Sequence, residues 1–447
     1  MARARLLRWF HAGVAAVCAR ERVRAALANR TVPPRWHLLA VGKAATAMAE
    51  GALAAWPTGC AGGVVVCPPG NVGASLLATL QSAASCLPQS TFGHCGSELA
   101  CGSELARDSS VGSKLPPTVL ATFEGSHPVP DERSLAAGAA LLDYAARLTA
   151  ADYRDDPVLL LVSGGASALA EALRPGVTLA ELQTLTRAAL ADGADIVELN
   201  ARRRAVSRLK GGELVRALGP HRVQALLVSD VPGDDPAVIG SGLACGTAPD
   251  ARPAQLQCVA RLEDALDAMA AAAAAEGVAL RRLPGRFTGD AIAVAQQFLG
   301  ECGQHDGGLL WGGESTVVLP AQPGRGGRNQ QLALAAAMAL DSCRSIGSSS
   351  PASGNESPAY PAALVLLAAG TDGIDGNSED AGAVVDATTI TLGEIGSGLT
   401  AAAALEAADS GTFLEAAGAL VHTGRTETNV GDILVAWWPG APRQGMQ

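Results

Sequence analysis

HLLAVGKAATAM (37–48) decides how this chain is read. Its first residues form a short apolar run without alternation, as expected of a strand covered on both faces. Gly42 breaks the run, and an alanine-rich helical stretch follows. That is the strand–loop–helix grammar of a parallel α/β sheet. Lys43 stands in the loop, at the strand end where open α/β sheets bind ligands. Only three of the 33 cationic residues are lysine, so a lysine here reads either as a compact charge for a phosphate or carboxylate, or as an ordinary surface residue.

Working outward, the same grammar recurs at 157–163, 223–229 and 363–369, with further strand candidates at 62–66, 118–124, 307–311 and 315–319. A chain of 447 residues exceeds one compact core. The expected fold is α/β with two domains, each a mainly parallel sheet flanked by helices: Rossmann-like at the N-terminus, smaller at the C-terminus. The expected boundaries are 1–265 and 305–440, joined by a helical connection over 266–304. Two Ser/Gly/Pro-rich stretches, 71–117 with its tandem GSELA and 342–361, read as surface insertions.

Composition narrows the function. The chain is 48% hydrophobic and 17% charged, with a net charge of -10. That describes a globular acidic protein and argues against a sequence-independent nucleic-acid binder. No long uncharged apolar run suggests a membrane span. Ten cysteines form no CxxC pair and no zinc-like Cys/His spacing, which fits a reducing compartment. The N-terminus, MARARLLRWFHAGVAAVCARERVRAALANR (1–30), is Arg-rich and acid-poor like an organellar transit peptide. Its helical spacing through Leu6, Phe10, Val14, Val17 and Val23 favours a first structural helix instead. The expected location is the cytoplasm, with a mitochondrion or chloroplast as the alternative; the chain is expected to be a monomer or homodimer.

Five segments carry chemistry. In LVSGGASAL (161–169), a Ser-Gly-Gly turn after a strand offers an anion nest, with Ser163, Gly164, Gly165 and Ser167, or simply a tight turn. LNARRRAVSRLKGGELVRAL (199–218) reads as one basic amphipathic helix, either a ligand face or a solvated one. Asp230, in LLVSDVPGDDPAVIGSG (226–242), sits at a strand's end and suits Mg²⁺ or a turn. Glu314 lies between two expected strands, and Arg325 and Arg328 stand on a glycine-rich loop opening a helix, a place suited to phosphate. Asp372 and Asp375, in AAGTDGIDGNSED (368–380), are metal, ribose or general-base candidates. Nests, arginines and strand-end carboxylates together fit phosphoryl transfer.

These segments, with GSHPVPDERSLAAG (125–138), WGGESTVVL (311–319), GRGGRNQQLALA (324–335) and TETNVGDI (426–433), resemble the glycerate 2-kinases, which join a glycerate kinase domain to a MOFRL domain. The resemblance runs over nearly the whole chain outside the two insertions. It implies ATP- and Mg²⁺-dependent phosphorylation of D-glycerate at its 2-hydroxyl, in a cleft between domains. It implies catalytic roles for Lys43, Asp230, Arg325 and Arg328. Substrate or nucleotide contacts would come from Ser163, Gly164, Gly165, Ser167, His127, Asn200, Arg203, Lys210, Asn329, Thr428 and Asn429. Metal ligands would be Asp230, Glu314, Asp372 and Asp375. The chain departs from the family pattern at Ala166, where a third glycine is usual, at Glu427, where PTGTNVND has glycine, and at Leu243-Ala244 in the SGPT turn. A hydroxypyruvate or tartronate oxidoreductase, or a non-catalytic metabolite binder, are the alternatives; the first lacks a GxGxxG fingerprint.

Overall fold

The apolar runs become strands whose inner residues are buried. In the computed structural model, which describes residues 2–70, 120–150, 156–191, 196–245, 254–302, 307–346, 360–361 and 363–439, the first sheet contains β1 (Trp36–Val41), β2 (Cys60–Cys67), β3 (Leu120–Glu124), β4 (Val158–Val162), β5 (Val223–Val228) and β6 (Gln255–Ala260). Their order is β3-β2-β1-β4-β5-β6, and the first five run parallel. The whole 71–117 insertion expected from sequence, and the 347–359 part of the other, lie outside the described residues.

Two compact units divide the chain: 20–227 with 236–257, and 1–19 with 228–235 and 258–447. In the first unit the helix Ala45–Ala55 packs on β1 and β2 through Ala45, Ala47, Met48, Ala49 and Ala52. Small side chains let the helix approach closely, which is what the alanine-rich composition supplies. The helix Glu132–Ala150 covers β2 and β3 with Leu141, Tyr144, Ala145 and Leu148. LNARRRAVSRLKGGELVRAL is not one helix: Ile196–Val206 and Glu213–Ala217 are separate, and Gly211 and Gly212 between them take φ of +65° and +84°. The first helix stops at Val206, and Gly212 at positive φ caps the start of the second, so the basic residues' helical spacing is interrupted.

The second unit corrects one expectation. Its sheet, β7 (Leu280–Arg282), β8 (Phe287–Asp290), β9 (Gly308–Thr316), β10 (Val365–Gly370), β11 (Gly382–Val385), β12 (Leu420–Val421) and β13 (Asp432–Trp437), is mixed rather than mainly parallel. β13 pairs antiparallel with β9 and β10, and β11 pairs antiparallel with β10 and β12; only β7 and β8 run parallel to β9. The loop from β10 to β11 holds no crossover helix, and parallel pairing needs one. The apolar runs misled because helices cover both faces of this sheet. Arg328–Ile346 packs on β10 and β11, and Ala2–Ala16 on β10 and β13. The two strands expected at 307–311 and 315–319 are one, β9, so Glu314 lies within a strand.

The first helix is therefore core. Leu6, Trp9 and Phe10 are fully buried, and Trp9 meets Trp437 edge-on at 6.5 Å. At Gly13, a Cβ would lie 2.7 Å from Met269 Cγ on the helix Leu262–Ala275. Among the described residues no helix is long and apolar enough to cross a membrane. Trp9→Ala is expected to cost about 3–5 kcal/mol in urea unfolding; wild-type stability in this variant would mean the first helix is dispensable.

Candidate functional site

In the first unit three loops at the carboxyl ends of β3, β1 and β4 converge. Gly42 takes φ of +135°, and a Cβ there would fall 2.2 Å from Ser163 Oγ, so only glycine fits. The Lys43 N–H donates to the Gly164 carbonyl at 2.9 Å, and the Ala44 N–H to Ser163 Oγ at 3.0 Å. Ser163 is fully buried, so its hydroxyl ties the two loops together. Gly165, at φ +77°, lies where a Cβ would stand 3.1 Å from both Lys43 Cγ and His127 Cδ2. Lys43 and His127 thus flank a bare glycine backbone. The helix behind this turn is a single turn, Ala166–Leu169, so its dipole contributes little. Ala166 is fully buried, and its Cβ would lie 3.3 Å from one built on Gly240. The extra methyl group fills the interior rather than the nest.

Beside this cradle runs a polar chain. The buried Arg203 Nη1 donates to Ser167 Oγ at 3.4 Å, the Ser167 and Ser241 hydroxyls pair at 2.7 Å, and Ser241 donates to Asn200 Oδ1 at 2.6 Å. Arg203 Nε is buried without a hydrogen-bond partner. Burial pulls the Arg203 guanidinium below its ordinary value, and Glu171 partly offsets this. Lys210 is fully buried in an ion pair with Glu171, whose other oxygen accepts from the Ser207 hydroxyl at 2.5 Å. Lys210 therefore lies beneath the site and supports it. Glu171, Ser207 and Ser241 are members that sequence reading does not assign, because no spacing links residues 171, 207 and 241.

The second unit collects the acidic positions. Strand register brings Asp432 opposite both Gly313 and Gly370, with Glu314 next in line. Asp432, which sequence reading leaves unassigned, is 1% exposed and grips Arg328 through Nε at 2.5 Å and Nη2 at 3.0 Å. Arg328 Nη1 reaches the exposed Glu314 at 2.9 Å. Burial alone would lower the Arg328 guanidinium, but Asp432 and Glu314 hold it well above its ordinary value. A Cβ on Gly370 would lie 3.1 Å from Asp372 Oδ1 and 3.5 Å from Asn329 Nδ2, which gathers both around Arg328's partner. On the neighbouring loop, Asn429 Nδ2 donates to Asp230 Oδ2 at 3.1 Å.

Three expected site residues do other work. Asp375 accepts from the backbone N–H groups of Asn329 at 3.1 Å and Gln330 at 2.8 Å. It supplies, across the fold, the N-terminal cap that the sequence of this helix lacks. Arg325 pairs with Asp380 at 2.9 Å and Glu415 at 2.5 Å, which fastens its loop. Thr428 donates to the Val17 carbonyl at 2.6 Å and holds the end of the first helix. The loop's glycines are explained the same way: a Cβ on Gly327 would lie 2.4 Å from the Asp375 carbonyl carbon, so they let the two loops touch.

No three His, Cys, Asp or Glu side chains among the described residues cluster as a metal cage. One or two carboxylates suffice for Mg²⁺ that arrives with a phosphate. Asp230, on the loop after β5, and Asp372, on the loop after β10, are carboxylates that fit that donor set.

Comparison with known proteins matches the two halves separately. The family described as a domain of unknown function, DUF4147, matches residues 5–274, and the MOFRL family matches 308–432. A protein of Agrobacterium vitis, provisionally named a hydroxypyruvate reductase, is 35% identical over 72% of this chain and 89% of its own. The D-glycerate 2-kinase of Thermotoga maritima is 32% identical over 70% and 79%, and the human glycerate kinase 32% over 71% and 73%. The crystal structure of the Thermotoga maritima glycerate kinase superposes with a TM-score of 0.70 at 27% identity, covering 98% of this chain and 99% of that one.

Burial pushes the Asp375 carboxyl up to about 7, against the lowering effect of its two N–H donors and Arg328. A raised carboxyl contributes stability below the usual value near 4 and loses it as pH rises towards 7. The stability of the wild type relative to Asp375→Asn, from urea unfolding, should therefore shrink between about pH 4 and 7; growth over that window would show a carboxylate held ionised. Glu427 is exposed and takes φ of +59°, a left-handed position that suits glycine. Glu427→Gly is expected to raise stability by on the order of 1 kcal/mol, and an unchanged or lower melting temperature would show that the turn carries no strain.

Proposed function

This chain belongs to the glycerate kinase family, whose members join a DUF4147 domain to a MOFRL domain, and from that premise we propose that it transfers the γ-phosphoryl group of ATP to the 2-hydroxyl of D-glycerate. The observation that carries this reading is the glycine-lined cradle in which Lys43 and His127 flank Gly165 at the ends of parallel strands. A phosphoryl group in flight spreads charge over its equatorial oxygens and needs fixed cations and N–H groups around it. Bare backbone lets a phosphate approach, and Lys43 supplies a compact charge. The Arg203–Ser167–Ser241–Asn200 chain suits the glycerate carboxylate and hydroxyls, with the unpartnered Arg203 Nε marking unfilled hydrogen-bonding capacity.

In the second unit, Arg328 and Asn329 are assigned to the donor's phosphates. Asp432 fixes the guanidinium by two bonds, so its plane is set before the nucleotide arrives. Glu314, exposed at the other side, yields to a phosphate oxygen. Asp230, oriented by Asn429, is assigned to the reacting hydroxyl or to Mg²⁺, with Asp372 as the second carboxylate. Mg²⁺ would neutralise phosphate charge when bound.

A second reading, reduction of hydroxypyruvate, is favoured by the name of the 35% identical Agrobacterium vitis relative. The strand-end loop Gly42-Lys43-Ala44-Ala45 lacks the glycine spacing of a dinucleotide turn. Incubation with D-glycerate and MgATP is expected to give ADP and 2-phosphoglycerate, resolved from the 3-isomer by NMR. Lys43→Ala should lower kcat at least about tenfold with unchanged unfolding. NADH consumption with hydroxypyruvate and no ADP would instead establish the reductase, and ligand-induced stabilisation without turnover a binding protein.

A further inference from the structure

Asp230 stands on a loop with an unusual backbone. Within residues 229–235, Gly233 takes φ of +77° and Asp234, which is not glycine, +53°. A non-glycine residue in the left-handed region persists only where its surroundings hold it. Pro232 and Gly233 of the loop open onto a cavity of about 600 Å³ that Glu263 and Arg286 also line.

Arg286 is 12% exposed and reaches the loop with both terminal nitrogens of its fork. Nη1 donates to the Val231 carbonyl at 2.6 Å, and Nη2 to Asp234 Oδ1 at 3.3 Å. The other edge of the guanidinium faces Glu263, with Nη2 donating to Oε2 at 2.9 Å and Nε to Oε1 at 3.3 Å. Arg286 itself is anchored through its neighbours. The Gly285 carbonyl accepts from Trp311 Nε1 at 3.2 Å, and Phe287 pairs in register with Gly313 of β9. A rigid sheet therefore carries a planar fork that grips the main chain one residue beyond Asp230. Arg261 Nε stands 3.6 Å from Asp234 and adds a weaker hold.

We propose that the Arg286–Glu263 pair is a clamp that positions Asp230 for phosphoryl transfer by holding the 229–235 main chain from outside the reacting site. Arg286 is a positioning residue: it acts through Val231 and Asp234. Glu263 orients the fork so that Nη1 meets the carbonyl. Asn429 bonds the Asp230 side chain and Arg286 the carbonyl of the next residue, Val231, so the carboxylate is set from two directions. The inference rests on the kinase reading, in which Asp230 acts at the hydroxyl or its metal.

The test compares wild type, Arg286→Ala, Arg286→Lys and Glu263→Gln by D-glycerate kinase kinetics, thermal unfolding and amide hydrogen exchange. Arg286→Ala is expected to lower kcat at least about tenfold, because small misplacements of reacting groups are costly, while KM for D-glycerate moves less than about threefold. Exchange should quicken in 229–235 and stay unchanged in the strands of the first sheet. Arg286→Lys, which keeps a donor for the Val231 carbonyl, should recover part of kcat. If Arg286→Ala does not fold, Glu263→Gln decides: a lower kcat in a folded protein supports the clamp, and wild-type kcat overturns it. An active wild type whose Arg286→Ala variant keeps kcat within about twofold overturns the clamp alone, as does a loss of kcat without faster exchange in 229–235. A wild type that transfers nothing to D-glycerate overturns the kinase reading, and the clamp with it.

Discussion

The contact between Gly42 and Ser163 is the constraint on which the first unit's chemistry depends. β1 and β4 are parallel neighbours, so their carboxyl ends lie side by side and both chains turn at the same level. The space between the turns admits no side chain at residue 42. Ser163 bridges to the Ala44 N–H, and the Lys43 N–H reaches across to Gly164. The lysine is thereby fixed by its backbone on both sides while its Cγ stands beside Gly165, across from His127. Parallel strands place loops from distant parts of the chain on one edge of the sheet, and glycine lets them close up.

Charge in the second unit is sorted by burial and partner. Asp375 is buried against helix N–H groups, Asp432 is buried against a guanidinium, and Glu314 is exposed on the far side of the same guanidinium. A buried carboxylate needs donors around it, and here each has found them in the protein. The exposed one has the least to lose when a phosphate arrives. The same sorting explains why Arg325, though it shares a loop with Arg328, holds structure: two carboxylates of the protein already occupy its fork.

Much of this was legible. Every strand of the first sheet up to β5 is an apolar run ending in a small or polar residue, and Lys43, Asp230 and Gly165 could be picked out at those ends. The reading failed where tertiary partners decide. Arg325 shares with Arg328 a loop opening a helix that lacks its own cap, but the cap comes from Asp375, 47 positions away from Arg328, and the Arg325 fork is taken up by Asp380 and Glu415. Lys210 looked like part of a basic face because Glu171, its partner in a buried ion pair, stands among alanines and leucines. The mixed second sheet was hidden because antiparallel strands covered by helices on both faces carry no alternation.

The sequence by itself determined the α/β class, the strand-end placement of the lysine and the aspartate, and the family, because these follow from local periodicity and from motifs that keep their order along the chain. Tertiary structure alone decided strand direction in the second sheet and which charged groups pair inside the protein. Pairing and burial depend on which distant residue arrives alongside, and a charge takes its role from that neighbour.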